Sequence, residues 1–131
     1  MGWTPTAYLR TVVNRRRPAC WHDRGVLVVN RFRVPEDDAA RFRADLTTAR
    51  AALAARPGYL GGEIGRNVDD PTLWTLVTRW ENVGAYRRSL SSYEVKLHAV
   101  PVLGRALEEP SAFEVVEDGT DLNVPGARSL G

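Results

Sequence analysis

The sequence predicts an α+β fold of the ferredoxin-like βαββαβ type, in which a four-stranded antiparallel sheet carries both helices on one face. Stretches with the periods of strands and helices follow one another in the order strand, helix, strand, strand, helix, strand. Apolar residues also occupy both faces of the third strand, so the sheet face without helices needs a cover. A second sheet from a two-fold homodimer would supply it.

The first strand and the first helix have clear signatures. Val26–Val34 begins as a continuous β-branched and aliphatic run, which is typical of a strand buried on both sides. After Pro35, three acidic residues favour the first turn of a helix. Pro57 and Gly58 end that helix. Its predicted apolar face consists of Phe42, Leu46, Ala49 and Leu53.

Three more strands are predicted. Tyr59–Val68 is the weaker one, because its three glycines have no side chains to pack, and they indicate a bulge or a close approach of backbones. After a turn at Asp69–Pro71, the segment Thr72–Glu81 alternates with period two. Ser111–Glu117 is the last predicted strand. One face of the third strand presents Trp74, Leu76, Thr78 and Trp80, and the other presents Leu73, Thr75, Val77 and Arg79.

The second helical region carries the histidine of interest. Asn82 can cap a short helix that ends at Leu90, and a further helix is predicted over Tyr93–Leu107. His98 should point with the apolar residues of that helix, and Pro101 should kink the helix beside it. The residues that share its predicted face are Val95, Ala99, Val102 and Ala106.

Length and composition fit one compact domain. The chain has 131 residues, 44% of them hydrophobic, and a net charge of +2. Its arginines are scattered among nearly as many acids, which indicates a solvated surface rather than a nucleic-acid-binding face. The single cysteine, Cys20, excludes an intrachain disulfide framework, and no apolar run is long enough to span a membrane. We expect a cytoplasmic protein with no nucleic-acid or membrane partner.

Three segments divide the chain. Residues 1–24 combine Pro, Trp and Arg without periodicity and are predicted to be an N-terminal extension, in which Arg15–Arg17 form a basic leader. The folded domain is predicted over 25–118, and a polar, mobile tail over 119–131.

Residues 26–117 resemble the antibiotic biosynthesis monooxygenase family of dimeric α+β barrel proteins. The resemblance is carried by the element order, the turn ARPGYLGG, the segment WENVGAYR and the closing strand PSAFEVV. It implies a homodimer that acts on a small molecule with O₂.

One branch of that family oxygenates aromatic polyketides without a cofactor. It has a Trp at the end of strand three and a Tyr six residues later, which are Trp80 and Tyr86 here. The branch also has an active-site Asn and an Arg at the positions of Leu76 and Val100. The resemblance therefore implies that the acid–base and anion-binding groups of this chain come from elsewhere.

A second branch degrades haem, and an Asn on strand one, a Trp and a His nine residues later surround its haem. Asn30 and His98 match the first and the last of these, whereas Ser89 stands at the Trp position. The resemblance implies an alternative in which His98 is the iron ligand and Asn30 lies beside haem. Without a bulky side chain at Ser89, nothing would press on the porphyrin.

The residues offer few polar groups for catalysis. Asn30 is informative because strands disfavour Asn and a buried amide needs partners, and it can hold an oxyanion. His98 can act as a general base, but it can equally be a core histidine bonded to a carbonyl. Tyr86 can hydrogen-bond a substrate, and Trp80 can stack on it or only pack. The other residues predicted to line the substrate are Trp74, Phe32, Ser89 and Val102.

These observations lead to a predicted function with two alternatives. We predict a homodimeric monooxygenase that oxygenates an aromatic or polyketide-like molecule with O₂ and no bound cofactor. The alternatives are a haem-binding or haem-degrading enzyme and a non-catalytic ligand-binding or regulatory module. No metal-ligand spacing surrounds His22 or His98.

Overall fold

The computed structural model describes residues 25–122, so the predicted extension 1–24, with Cys20 and His22, and residues 123–131 of the predicted tail lie outside the described residues. The strands form one antiparallel sheet in the order β2-β3-β1-β4. The predicted βαββαβ fold class is therefore confirmed. The elements are β1 (Val26–Arg33), α1 (Ala39–Ala54), β2 (Tyr59–Arg66), β3 (Leu73–Trp80), α2 (Val83–Ser89), α3 (Tyr93–His98), α4 (Val100–Leu103) and β4 (Ala112–Glu114).

The two central strands define the two faces of the sheet. β1 pairs with β3 along its whole length, from Val26 opposite Trp80 to Arg33 opposite Leu73. The even-numbered side chains of both strands are buried beneath the helices, whereas the odd-numbered ones are half-buried or exposed on the other face. The predicted alternation of β3 is confirmed, and the same alternation holds in β1, whose start was expected to be buried on both sides.

Helix α1 packs through the predicted face. Its buried residues are Phe42, Leu46, Ala49 and Leu53. The Phe42 ring contacts Phe32 of β1 and Trp74 of β3 edge-on, with ring centroids 5.0 Å and 5.8 Å apart. Because these rings come from both central strands, the contact fixes α1 across the middle of the sheet.

The second helical region is shorter and more divided than predicted. α3 ends at His98 and α4 ends at Leu103, whereas one helix was expected as far as Leu107. The predicted interruption beside Pro101 is confirmed: the proline lacks an N–H to continue the helical hydrogen bonds, and α3 and α4 are separated at Ala99, whose φ is −113°. Within 25–122, no helix combines the length and apolar character that crossing a membrane requires.

The outer strands also differ from the sequence prediction. β4 has three residues, Ala112–Glu114, instead of the predicted seven-residue strand, although Val29 N donates to Ser111 O and Val115 N donates to Gly25 O beyond its ends. β2 ends at Arg66, and the predicted bulge lies between Tyr59 and Gly61. The short β4 leaves one edge of β1 only partly paired.

The turn between β2 and β3 is organised around Asp70. The Asp70 carboxylate accepts hydrogen bonds from Thr72 N at 3.0 Å and from Thr72 Oγ1 at 2.7 Å, and it pairs with Arg33 Nη1 at 2.6 Å. These bonds to the charged form, those of Thr72 first, lower the pKa of Asp70 to about 2.

We expect the Asp70 carboxyl to titrate near pH 2 in the folded protein. Because its folded pKa lies below the ordinary value of about 4, its stabilisation is complete above pH 4 and is lost as the pH falls towards 2. An NMR titration of the side-chain carboxyl carbon measures the midpoint. Thr72→Val should raise that midpoint, whereas Thr75→Val, the same change away from Asp70, should leave it in place. A wild-type midpoint near 4 would contradict the assignment.

Candidate functional site

Asn30 occupies an unusual position in the layer between the sheet and the helices. It lies in the central strand β1, opposite Leu76, and faces the helices between Val28 and Phe32. Only 9% of its surface is exposed. Within residues 25–122 its side-chain amide forms no hydrogen bond, although its backbone carbonyl accepts one from Thr75 Oγ1. An amide on this apolar face that has no protein partner and is not fully buried is available to a polar group of a ligand.

Trp80 lies on the same face of the sheet as Asn30, four residues along β3 from Leu76, the residue opposite Asn30. Its indole Nε1 donates a hydrogen bond of 2.8 Å to Thr78 Oγ1, which draws the ring back along β3 towards Leu76. The ring is fully buried, and its centroid lies 5.3 Å from that of Tyr59 and 5.6 Å from that of Tyr86. Trp80 therefore packs within the protein and positions Tyr86, and its N–H is already bonded.

Tyr86 lies in helix α2, and its ring contacts Trp80. The helix starts at Asn82, whose Oδ1 accepts a hydrogen bond from Ala85 N at 2.8 Å. The Tyr86 hydroxyl is half-buried and has no hydrogen-bond partner among the described residues. Burial raises the pKa of this hydroxyl above its ordinary value, which keeps it a neutral donor near pH 7.

The remaining predicted site residues pack in the core or serve a helix, and Phe32 is the one that neighbours Asn30 on β1. Ser89 is buried, and its Oγ donates to the Tyr86 carbonyl at 2.6 Å, so the hydroxyl serves the helix itself. Val102 is part of the apolar core. Phe32 and Trp74 form the aromatic cluster with Phe42.

The predicted orientation of His98 is wrong. Its side chain is 43% exposed, and Nε2 lies 3.4 Å from Glu94 Oε1. The buried face of α3 and α4 runs instead through Val95, Ala99 and Val102. His98 lies three residues after Val95 and just before the break at Ala99, which leaves it at the solvent edge of that face.

Two polar groups escaped the sequence reasoning. The alternation of β3 places Thr78 on the same face as Trp80, but it does not indicate that Thr78 accepts the hydrogen bond of the indole. The Trp74 indole Nε1 is buried and has no hydrogen-bond partner. A Thr and a Trp at even positions of an apolar strand face are the only sequence signal for either group.

Thr78→Val should destabilise the fold by about 1–3 kcal/mol, because it leaves the buried Trp80 N–H without an acceptor at nearly constant volume. Urea unfolding measures the change. Thr75→Val is the matched control, since Thr75 is half-buried and its hydroxyl only adds a bond to the Asn30 carbonyl. Equal losses of stability for the two variants would contradict the role of Thr78.

Comparisons with known proteins agree with this architecture. A sequence model of the antibiotic biosynthesis monooxygenase family matches residues 25–99. No curated protein matches the chain. Among solved structures, the chain is similar to a mutant of SnoaB, a cofactor-independent oxygenase from Streptomyces nogalater, at 25% identity and a TM-score of 0.62, over 71% of this chain and 94% of that one.

A second solved structure, Rv0793 from Mycobacterium tuberculosis, shares the fold at 19% identity and a TM-score of 0.59, over 73% of this chain and 99% of that one. The resemblance inferred from the order of elements and from the segments around Trp80 is confirmed. Because the family match covers more than half of the sequence, the chain belongs to the antibiotic biosynthesis monooxygenase family.

Proposed function

We propose that this protein is a monooxygenase that oxygenates an electron-rich aromatic or polyketide-like small molecule with O₂ and without a bound cofactor. The observation that carries the proposal is the unpaired amide of Asn30 in the buried layer between sheet and helices. Membership of the family and the similarity to SnoaB, a cofactor-independent oxygenase, support the same reaction class. The fold alone would not fix the chemistry.

The reaction needs no external reductant when the substrate supplies all the electrons. A phenol conjugated to a ring methylene loses a proton, and the resulting anion passes one electron to O₂. The substrate radical and superoxide then combine in a C–O bond, and the hydroperoxide loses water to give a carbonyl. The methylene carbon is oxidised to the carbonyl, one oxygen atom of O₂ enters the product and the other leaves as water.

The chain contributes groups that favour the substrate anion. The Asn30 amide can donate a hydrogen bond to the phenolate oxygen, and the neutral Tyr86 hydroxyl beside Trp80 is a further donor for another polar group of the substrate. The Trp80 ring packs between Tyr59 and Tyr86 and holds the Tyr86 side chain in place. Together these groups would lower the pKa of a bound phenol and so raise the concentration of the species that reacts with O₂.

The residues expected around haem do not fit that cofactor. An iron ligand would have to enter the same layer as Asn30, whereas the side chain of His98 lies at the surface beside Glu94. His98 is likewise poorly placed to act as a base on a substrate beside Asn30.

We propose a homodimer in which two sheets meet through the faces that carry no helices. On that face Phe113 is 48% exposed, and Leu27, Val29 and Val77 lie beside one another by strand register. Light scattering at micromolar concentration should give twice the mass of one chain. Val77→Lys should give single chains, whereas Ala51→Lys, on the exposed side of α1, should not. A wild-type mass of one chain would contradict the dimer.

Oxygen uptake with a panel of hydroquinones and anthrones tests the proposed reaction. We expect uptake with at least one of them, with no added nicotinamide and in the presence of a metal chelator. With ¹⁸O₂, one labelled atom should appear in the product and one in water. No uptake with any member would overturn the oxygenase proposal.

Titration with haemin tests the haem alternative. A Soret shift that is lost in His98→Ala would restore that alternative.

A further inference from the structure

A groove lies between α1 and the β2 side of the sheet. Its volume is about 500 Å³, and Asn30, Trp80 and Tyr86 take no part in its lining. Its principal walls are the side chains of Arg43, Thr47 and Arg50 from α1, Ile64 and Arg66 from β2, and Trp74 from β3. The volume lies within the range of roughly 300–1,000 Å³ that small-molecule sites occupy.

All the charged side chains that line the groove are positive. Three of its lining residues are arginines, Arg43, Arg50 and Arg66, and no acidic side chain lines it. Within residues 25–122 none of the three forms an ion pair, in contrast to Arg31, which pairs with Glu109 at 2.7 Å. The positive potential is therefore not neutralised inside the described part of the chain.

The spacing of the arginines indicates how many charges a ligand would carry. Arg43 and Arg50 are seven residues apart on α1, which separates them by about 10 Å along the helix axis. Arg66 stands on β2, across the groove from the helix. A molecule with two acidic groups can bind one guanidinium with each group, whereas a single small anion would have to draw the two side chains together.

Trp74 adds a flat surface and an unmet hydrogen bond. The residue is only 6% exposed, and its indole N–H has no partner. The Arg66 guanidinium lies over the ring, 5.5 Å from its centroid. An anionic oxygen in the groove would satisfy the N–H, and a planar ligand matches the stacked ring and guanidinium.

We propose that this groove is a binding site for a planar organic dianion, an aromatic molecule that carries two carboxylate or phosphate groups. The arginines bind the two acidic groups, which guanidinium forks recognise in a bidentate manner, and Trp74 supports the ring. The site is separate from the proposed oxygenation at Asn30 and does not depend on it.

Calorimetric titration of the full chain at about 0.15 M ionic strength tests the site. The probes are benzene-1,4-dicarboxylate and 1,4-phenylene bis(methyl phosphate), each with two negative charges, and benzoate and dimethyl phosphate are the single anions. We expect at least one dianion to bind about tenfold more tightly than either single anion. The two dianions distinguish a carboxylate ligand from a phosphate ligand. Single anions that bind as tightly as the dianions, or no binding at millimolar concentration, would overturn the proposal.

Charge-matched variants locate the site. Arg43→Gln and Arg66→Gln should each weaken dianion binding about tenfold, whereas Arg41→Gln, an equal change of charge on α1 outside the groove, should alter it less than twofold. The Trp74 indole N–H signal in NMR, assigned with Trp74→Phe, should shift on binding. Equal effects of the three arginine variants, or an indole signal that does not move, would overturn the assignment.

Discussion

Asn30→Leu is expected to lower kcat/KM for substrate-dependent oxygen uptake about 100-fold or more, while the fold stays at least as stable as the wild type. The loss of activity follows from removing a positioned donor to the developing oxyanion, for which losses of about 100-fold to 1,000-fold are typical. Oxygen-electrode kinetics and urea unfolding on the same preparations measure both quantities.

The expected stability of Asn30→Leu distinguishes a functional role of Asn30 from a structural one. A buried amide that holds the fold together has protein partners, and replacing it would leave those partners unsatisfied. The Asn30 side chain has none in the described part of the chain, and leucine has a similar volume and suits a buried strand. Unfolding at lower urea, with activity that falls only in proportion to the folded fraction, would contradict the assignment. His98→Ala provides an activity control that should behave like the wild type.

Gly58→Ala is expected to destabilise the protein by about 3 kcal/mol or more. Gly58 turns the chain from α1 into β2 at φ +90°, a conformation that residues with a Cβ rarely adopt. A Cβ at this position would also overlap the Cβ of Ala85 in α2. The neighbouring backbone cannot relax freely, because Gly58 O accepts a hydrogen bond of 2.8 Å from Glu81 N.

Gly119→Ala is the matched control for this prediction. Gly119 has nearly the same backbone, with φ +82°, but no atom lies within 4 Å of the position that its Cβ would take. The strain of the backbone is therefore similar and the overlap is absent, so a loss of only about 1 kcal/mol is expected. Urea unfolding of both variants compares them directly. Losses of equal size would show that packing against Ala85 contributes nothing.

The fold could be predicted where one periodic pattern decided the structure. The spacing of Phe42, Leu46, Ala49 and Leu53 gave the face of α1, and the alternation from Trp74 to Trp80 gave the faces of β3. Both patterns extend over many residues, so one exception changes little. The α3–α4 segment is too short for such averaging, and a break at Ala99 decided where His98 points.

The candidate site could be predicted only in part. Asn30 was identified because an amide is unfavourable in the middle of an apolar strand, and that inference needs no partner residue. The bond from Trp80 to Thr78 depends on a rotamer, which the sequence does not reveal. The arginine groove is lined by side chains of α1, β2 and β3, which are distant in sequence. It forms only when the helix packs on the sheet, so the sequence pattern does not reveal it.

The break at Pro101 also bears on how a molecule could reach the buried layer. α3 and α4 have six and four residues, which are too few to remain helical on their own, so packing against the sheet and α1 must hold both in place. Such segments open at a lower free energy than a strand paired on both sides, such as β1. Transient local unfolding of α3 and α4, on a timescale faster than global unfolding, would therefore open the part of the layer that Val95, Ala99 and Val102 cover.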